Sequence, residues 1–345
     1  MMLLGLFDNH QVDPLDPAVA SESYRQHLDD LTYADDLGFC CAFTAERHFM
    51  PTYQAPAPTA WIAAASQRTR QMRLGVMAYT LPLHAPFRLA EEVAVLDQLS
   101  GGRLEVGVGL GHRVEELQAV GVDPADRITI FQERMALLRA LWTGGQVTFQ
   151  GTGCLLQEAA IHPLPLQEPH PPLWFAGTNP AATGWAAAQG MGLAIGFAPA
   201  AALQPAVAAF AAARPVEGGG SIALMRHVYV AETDRAAHDE MTGDLLRLAE
   251  LRDGASGGPG GRADRRVEAA ERAAALVRDE IVVAGGPATV AATIQAAEQT
   301  LGVDLLLANP YLSGLGPERV RRTLRLLAIE VAPRLAVDAP ALIPG

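Results

Sequence analysis

Short apolar runs alternate with amphipathic stretches along most of the chain, which is the pattern of parallel strands joined by crossover helices. Near-continuous apolar runs such as VDLLLA are typical of strands that are buried on both faces. The pattern predicts eight strands: Leu3–Phe7, Cys40–Thr44, Arg73–Thr80, Leu104–Leu110, Leu173–Gly177, Gly192–Phe197, Ile222–Val230 and Val303–Ala308.

The stretches between these strands have apolar residues at helical spacing. In one of them, Leu89, Val93 and Leu96 form a single stripe, and Gly101 and Gly102 then stop the helix. The predicted helices are Ser21–Leu37, Phe87–Leu99, Arg127–Trp142, Pro180–Gln189, Ala200–Ala213, Asp234–Arg252, Pro287–Thr300 and Pro317–Ala332.

A helix after each of eight strands favours a closed (β/α)8 barrel, and an open doubly wound sheet is the alternative. We expect residues 1–345 to form this one domain, with insertions, because a barrel of this kind needs only about 250 residues. Residues 143–172 break the rhythm and are predicted to hold a hairpin around Val147–Gly151. Asp253–Arg266 is rich in glycine and predicted to be flexible, either as a plain surface loop or as a mobile lid.

Composition narrows the classes of partner. The net charge of −12 disfavours nucleic acid and anionic membranes as partners, and no apolar run reaches the roughly 20 residues of a membrane helix. The N-terminus lacks the positive region of a signal peptide. Three cysteines, Cys40, Cys41 and Cys154, do not form a disulfide framework. These features predict a cytoplasmic protein.

Candidate chemistry gathers where the predicted strands end, because barrel active sites lie at that face. Glu46, Arg47 and His48 follow the second strand, and three ionisable groups in a row are costly to bury without partners. Histidine can act as a general acid or base near neutral pH. A salt-bridged strand end without catalytic function is the alternative.

Small residues mark three further strand ends. Gly107, Gly109 and Gly111 let a ligand approach the backbone of the fourth strand, or serve only the packing of a crowded barrel. Gly177, Thr178 and Asn179 precede a helix that begins at Pro180, so they form either a phosphate site at a helix N-terminus or an ordinary cap. Met77, in the third strand, could face a planar ligand or fill the core. The His, Cys and Asp residues have no recognised metal-ligand spacing, so we expect no metal site.

The order of these segments resembles the bacterial-luciferase-like flavin-dependent monooxygenases. The strongest match is RLGVMAYTLPLHAPFRLAEEVAVLDQLSGGRLEVGVGLG followed by ELQAVGVD, and AERHF, AGTNPAA and VAGGPATVAATI…GVDLLL occur in the family's order. The resemblance implies a (β/α)8 barrel that holds reduced FMN at its mouth and oxidises a small organic substrate with O2 through a C4a-peroxyflavin. It also implies a separate flavin reductase and a homodimer, for which Ala57–Gln67 and Phe87–Leu99 are the candidate interface helices.

Carried over by position, the resemblance assigns roles to the candidate residues. Met77 and Ala78 match the family's non-proline cis peptide behind the flavin ring. One side of the cofactor would lie along Gly107, Gly109 and Gly111. Its phosphate would be held by Gly177, Thr178 and Asn179. The catalytic candidates are His48, Glu46 and Arg47.

The chain departs from the family at three positions. Arg47 replaces the catalytic histidine of the luciferases, so His48 is the candidate base, and Leu110 replaces a phosphate-binding arginine, which leaves Arg113 as the nearby cation. His84 lies one place earlier than the luciferase histidine and is expected to be a loop residue outside the site. Two alternatives therefore stay open: an F420-dependent hydride-transfer enzyme on the same barrel, and a catalytically silent flavin-binding protein.

Overall fold

The computed structural model describes residues 2–11, 17–215, 220–254, 262–312 and 315–335. Its strands are β1 (Leu3–Asp8), β2 (Cys41–Thr44), β3 (Arg73–Thr80), β4 (Leu104–Gly109), β5 (Val147–Gly151), β6 (Cys154–Ala159), β7 (Leu173–Ala176), β8 (Gly192–Gly196), β9 (Ile222–Val230), β10 (Val282–Gly285) and β11 (Leu305–Asn309).

The α-helices are α1 (Pro17–Asp36), α2 (Pro58–Ser66), α3 (Pro86–Ser100), α4 (Val114–Ala119), α5 (Arg127–Trp142), α6 (Pro180–Ala188), α7 (Ala200–Ala213), α8 (Asp234–Gly254), α9 (Arg262–Arg278), α10 (Pro287–Leu301) and α11 (Pro317–Leu326). A π-helical turn and a 3-10 turn continue α11 to Leu335. None of the helices in the described ranges combines the length and hydropathy needed to cross a bilayer.

Eight parallel strands close into a ring in the order β1, β2, β3, β4, β7, β8, β9, β11. The predicted (β/α)8 barrel is therefore confirmed. The ninth strand of the sheet, β10, pairs with His227–Val230 of β9, beyond the residues Ile222–Met225 that pair with β8. Because β10 adds to the rim, one edge of the barrel mouth is taller than the rest.

Side chains alternate between the inside of the barrel and the layer under the helices, as the two-residue period of a strand requires. Large rings inside the barrel lie against glycines of neighbouring strands. A Cβ atom on Gly75 would come within 2.5 Å of the Phe43 ring, and a Cβ on Gly192 within 2.5 Å of the Trp174 ring. Aromatic rings thus occupy part of the barrel interior, where glycines on neighbouring strands leave room for them.

A buried ion pair occupies the inside of the barrel at its amino-terminal end. Arg73 Nε, on β3, lies 2.5 Å from Glu105 Oε1, on β4, and Trp174 Nε1, on β7, donates to the other carboxylate oxygen. Burial raises the pKa of Glu105, while Arg73 and Trp174 oppose that shift. Three adjacent strands are therefore joined by one carboxylate.

The predicted hairpin is confirmed as the antiparallel pair β5 and β6. The eighth predicted strand begins at Leu305 rather than Val303. The sequence pattern did not predict β10, α4 or α9. Of the glycine-rich segment predicted to be flexible, the two ends belong to α8 and α9, and residues 255–261 lie outside the described residues.

Candidate functional site

The predicted site residues lie on one side of the barrel mouth. Parallel strands present their carboxyl ends at the same face, and β2, β3, β4 and β7 are consecutive neighbours in the sheet. Every predicted site residue lies on or directly after one of these four strands. The structure thus brings together the candidates that the sequence placed far apart.

Glu46 is the centre of a hydrogen-bond network. Its Oε2 accepts from the Thr80 backbone N–H at 2.5 Å, and its Oε1 lies 2.7 Å from His84 Nε2 and 3.3 Å from His48 Nε2. Burial alone would raise the pKa of Glu46, but the interactions with His48 and His84 and the Thr80 N–H lower it to about 2. Glu46 is therefore a buried carboxylate that stays ionised.

His48 depends on that carboxylate for its charge state. Contact with Glu46 raises the pKa of His48, against the opposing effect of partial burial. The imidazole side chain is 25% exposed, so the ring reaches the mouth of the barrel. A raised pKa favours the protonated ring, and this fits a proton donor better than the base that the sequence led us to expect.

The sequence analysis left His84 outside the site, but the structure places its ring in contact with Glu46. A 3-10 turn at Leu81–Leu83 ends at His84, whose N–H donates to the Leu81 carbonyl at 3.1 Å, and this turn brings the ring to Glu46. The His84 ring also packs edge-on against Tyr79, with centroids 5.4 Å apart. Glu46 and His84 are distant in sequence, so no local pattern indicated the contact.

Arg47 lies beside the network rather than in it. Its Nη1 donates to the Glu46 backbone carbonyl at 2.9 Å, and burial lowers the pKa of Arg47. Burial and the charges of Arg47 and Arg113 lower the pKa of His112. Glu116 lies 3.4 Å from Arg113 Nε and accepts from the His48 backbone N–H at 3.3 Å. A small basic cluster with one carboxylate thus follows β2 and β4.

The Met77–Ala78 peptide is cis, which confirms that prediction. Ala78 is half-buried at the mouth. A Cβ atom on Gly109 would lie 3.7 Å from the Ala78 Cβ and 3.5 Å from the Ala176 carbonyl oxygen, which are ordinary contact distances. Ala78, Gly109 and Ala176 therefore form a shelf of small residues on three adjacent strands.

The other two predicted glycines have different roles. A Cβ on Gly107 would overlap the Val76 carbonyl oxygen and lie 2.8 Å from Met77 Sδ, so this glycine allows β3 and β4 to pack closely. Gly111 has a φ of +73°, a left-handed conformation that glycine adopts without strain. The packing interpretation is therefore the better one for Gly107, and a turn explains Gly111.

The segment after β7 caps α6. Asn179 Oδ1 accepts from the Ala182 N–H at 3.1 Å, and Thr178 and Asn179 are exposed. Gly177 donates its own N–H to the Ala194 carbonyl at 3.2 Å, so that N–H is not free for a ligand. Of the predicted phosphate-binding set, Thr178 and Asn179 at the helix N-terminus can meet an anion.

A second polar cluster, Asp8, His10 and His27, was missed by the sequence analysis. It lies at the end of β1 and on α1, and all three residues are buried. The Asp-x-His pattern at a strand end was its only local signal. His10 also contacts the neighbouring loop, because its carbonyl accepts from the Gln54 N–H at 3.0 Å.

Comparison with known proteins finds one matching family model and several partial relatives. A family model described as luciferase-like monooxygenase matches residues 2–305. Protein y4wF of Sinorhizobium fredii is 36% identical over 196 residues, which are 56% of this chain and 56% of that protein. Limonene 1,2-monooxygenase of Rhodococcus erythropolis is 32% identical over 146 residues, 42% of this chain and 38% of the relative. The oxygenase component of the flavin-dependent trigonelline monooxygenase of Acinetobacter baylyi is 29% identical over 167 residues, 48% and 46% of the two chains. The chain matches about half the length, or less, of these relatives.

Solved structures resemble the whole barrel. Monooxygenase RslO1 from Streptomyces bottropensis superimposes with a TM-score of 0.81 at 27% identity, covering 96% of this chain and 99% of that one. The oxygenating constituent of 3,6-diketocamphane monooxygenase from Pseudomonas putida, in complex with FMN, gives 0.81 at 20% identity over 96% and 98%. The coenzyme F420-dependent tetrahydromethanopterin reductase from Methanopyrus kandleri gives 0.72 at 18% identity over 97% and 99%. At these last two identities the likeness shows the fold, and proteins of this fold bind either FMN or F420.

Proposed function

Because this chain belongs to the luciferase-like monooxygenase family, we propose that it is a monooxygenase that uses reduced FMN and O2 to oxidise a small organic substrate. The observation that carries the proposal is the shelf of Ala78, Gly109 and Ala176 beside the Glu46 network at one barrel mouth. A shelf of small residues accepts a flat ring, and the network supplies the His48 imidazole, whose pKa is raised by its contact with Glu46.

The residues present fit FMN. Ala78 and Gly109 would lie against the ring system, and Thr178 and Asn179 at the N-terminus of α6 would meet the phosphate. Reduced FMN, when bound, supplies the electrons that activate O2. The longer anionic tail of F420 would need additional basic residues, and the two arginines described at the mouth already interact with Glu116 or with backbone. This supports FMN over F420.

The chain's own side chains would hold a proton and stabilise negative charge at the mouth. Ionised Glu46 favours the protonated form of His48, and in that form the ring would stabilise negative charge that develops at the mouth. His84 would fix the orientation of Glu46 through its 2.7 Å contact. Arg47 would position the loop after β2, since its Nη1 donates to the Glu46 backbone carbonyl.

Partners follow from the same proposal. One curated relative is named as the oxygenase component of its system, and this supports a separate flavin reductase that delivers reduced FMN to our protein.

We also propose a cytoplasmic homodimer that associates through α2 and α3. On α3, Phe87, Val95 and Leu99 are 40%, 41% and 47% exposed, which is a large apolar surface for one helix.

The test is an anaerobic titration with photoreduced FMN and, separately, with reduced F420, followed by admission of air. We expect reduced FMN to bind and to be followed by oxygen consumption that depends on substrate. Gly109→Ala should weaken FMN binding about tenfold or more, because its methyl group would project towards the ring. Gly243→Ala, on α8 with no atom within 4 Å of its Cβ position, is the matched control and should bind as the parent does.

Three results would contradict the proposal. Binding of F420 in preference to FMN would indicate hydride transfer. Tight FMN binding with no oxygen consumption over a broad substrate panel would indicate a silent flavin-binding barrel. Equal FMN affinity in Gly109→Ala and the parent would show that the ring does not lie on the shelf.

A further inference from the structure

Asp8, His10 and His27 form a cluster that the proposed function does not use. The barrel interior takes Phe7, so the alternation along β1 directs Asp8 to the outer layer, towards α1 and α2. His27 lies on α1, and the His10 ring packs edge-on against Trp61 of α2 at 4.3 Å. The three residues are 3%, 2% and 8% exposed. The cluster therefore lies in the outer layer at the mouth end of β1 and is closed off from bulk solvent.

The arrangement leaves one carboxylate oxygen between two imidazoles. Asp8 Oδ1 accepts from the His10 backbone N–H at 2.7 Å, which fixes the carboxylate. Asp8 Oδ2 then lies 2.7 Å from His27 Nδ1 and 3.4 Å from His10 Nε2. One donor atom from each residue lies within 4.8 Å of the other two. Ligands of a tetrahedral zinc ion lie about 3.3 Å apart, so side-chain shifts of about an ångström would bring all three into range.

The His10 ring is the unexplained member of the cluster. Neither of its nitrogens makes a hydrogen bond within the described part of the chain, although the residue is almost fully buried. Leaving such a group without a partner costs about 1–3 kcal/mol, so buried polar atoms are nearly always satisfied. A ligand that accepts electron density from the ring nitrogen would account for it.

The surroundings of His27 fit those of a metal-binding histidine. The distal Nε2 of His27 lies 3.4 Å from Ser23 Oγ, and its ring stacks on Tyr311 at 4.0 Å. A polar partner on the second nitrogen is how metal-binding histidines are oriented.

We propose that Asp8, His10 and His27 bind one zinc ion in a structural site, with water completing the coordination. Two imidazoles and a carboxylate suit zinc, which imposes no geometry of its own through its d electrons. The ion would tie β1 to α1. It would also fix the turn at His10, whose carbonyl holds the backbone of Gln54 in the loop after β2.

The experiment measures metal in the full chain, without a histidine tag. Protein is incubated with excess Zn²⁺ and desalted, and zinc is counted by mass spectrometry, with Co²⁺ as a spectroscopic substitute. The parent should retain about one zinc per chain and melt at a higher temperature than after chelation, whereas His10→Gln and His27→Gln should retain about a tenth of that or less. His238→Gln, an exposed histidine on α8, is the control and should behave as the parent.

The proposal is overturned if the parent retains no zinc after desalting, or if His10→Gln retains as much as the parent. In either case Asp8 and His27 form an ion pair and nothing more. If both variants fail to fold by circular dichroism, the Co²⁺-loaded parent decides, because a four-coordinate nitrogen and oxygen site must show visible absorption bands. Their absence would equally overturn the proposal.

Discussion

At the scale of single residues, the pKa of Glu46 at the barrel mouth is strongly lowered by folding. Its pKa falls from an ordinary 4.5 to about 2 in the folded chain. A lowered folded pKa gives stability that is complete above the unfolded value and is lost as pH falls towards the folded one, here between about pH 5 and pH 2. The difference corresponds to at most about 3 kcal/mol.

We therefore expect Glu46→Gln to lose up to about 3 kcal/mol of unfolding free energy at pH 7 and progressively less as pH falls to 3. Urea unfolding at pH 7, 5 and 3 measures this. Glu91→Gln, at a partly exposed position on α3, is the control and should follow the parent at every pH. Parallel curves for Glu46→Gln and the parent would contradict the assignment of a strongly lowered pKa.

Single residues also show which contacts could not be predicted from the sequence. Glu46 and His48 were found because they are neighbours in sequence at a strand end, where chemistry was expected. His84 joins Glu46 across 38 positions, and His27 joins Asp8 across 19, so both contacts depend on how separate elements pack. No local spacing encodes them.

At the scale of elements, the Arg73 and Glu105 pair holds β3, β4 and β7 together inside the barrel. Removing one partner of a buried pair leaves an uncompensated charge and costs about 3–5 kcal/mol. Arg73→Met should therefore be destabilised by about that amount in urea, and the double variant with Glu105→Gln should recover part of the loss, because no buried charge is left.

Arg68→Met provides the control, since Arg68 pairs with Asp29 while both side chains are about half exposed. Exposed pairs contribute less than about 1 kcal/mol, so this variant should unfold close to the parent. If Arg73→Met were no less stable than Arg68→Met, the ion pair would not be what joins these strands.

The elements that the sequence predicted are those with a strong signal of their own. The eight barrel strands are buried on both faces, so their apolar runs stand out against the helices. The four residues of β10 are too few for such a signal, and α9 begins beside the glycine-rich segment, with five charged residues in its first seven. Tertiary packing, rather than local pattern, decides both.

At the scale of the whole molecule, the exposed apolar side chains of α3 bear on assembly. We expect the parent to sediment as a dimer and Val95→Glu to sediment as a monomer, because a charge at a half-exposed interface position would be buried without a partner. Val277→Glu, at a similarly exposed position on α9, should leave the dimer intact. A monomeric parent, or equal behaviour of the two variants, would contradict the proposed interface.

The barrel as a whole was predictable because strand number and order follow from the alternation of elements. The substrate was not, because the shape of a barrel mouth depends on loops whose conformation no periodicity fixes.

The rings inside the barrel restrict which substitutions a sequence of this kind can accept during evolution. Phe43 needs Gly75 beside it, and Trp174 needs Gly192, because any side chain at either glycine would collide with the ring. Each pair spans two strands, and neither member can enlarge unless the other has first shrunk. Among descendants of a common ancestor, we therefore expect positions 43 and 75, and positions 174 and 192, to be inherited as pairs, with an exchange at one accompanied by an exchange at the other.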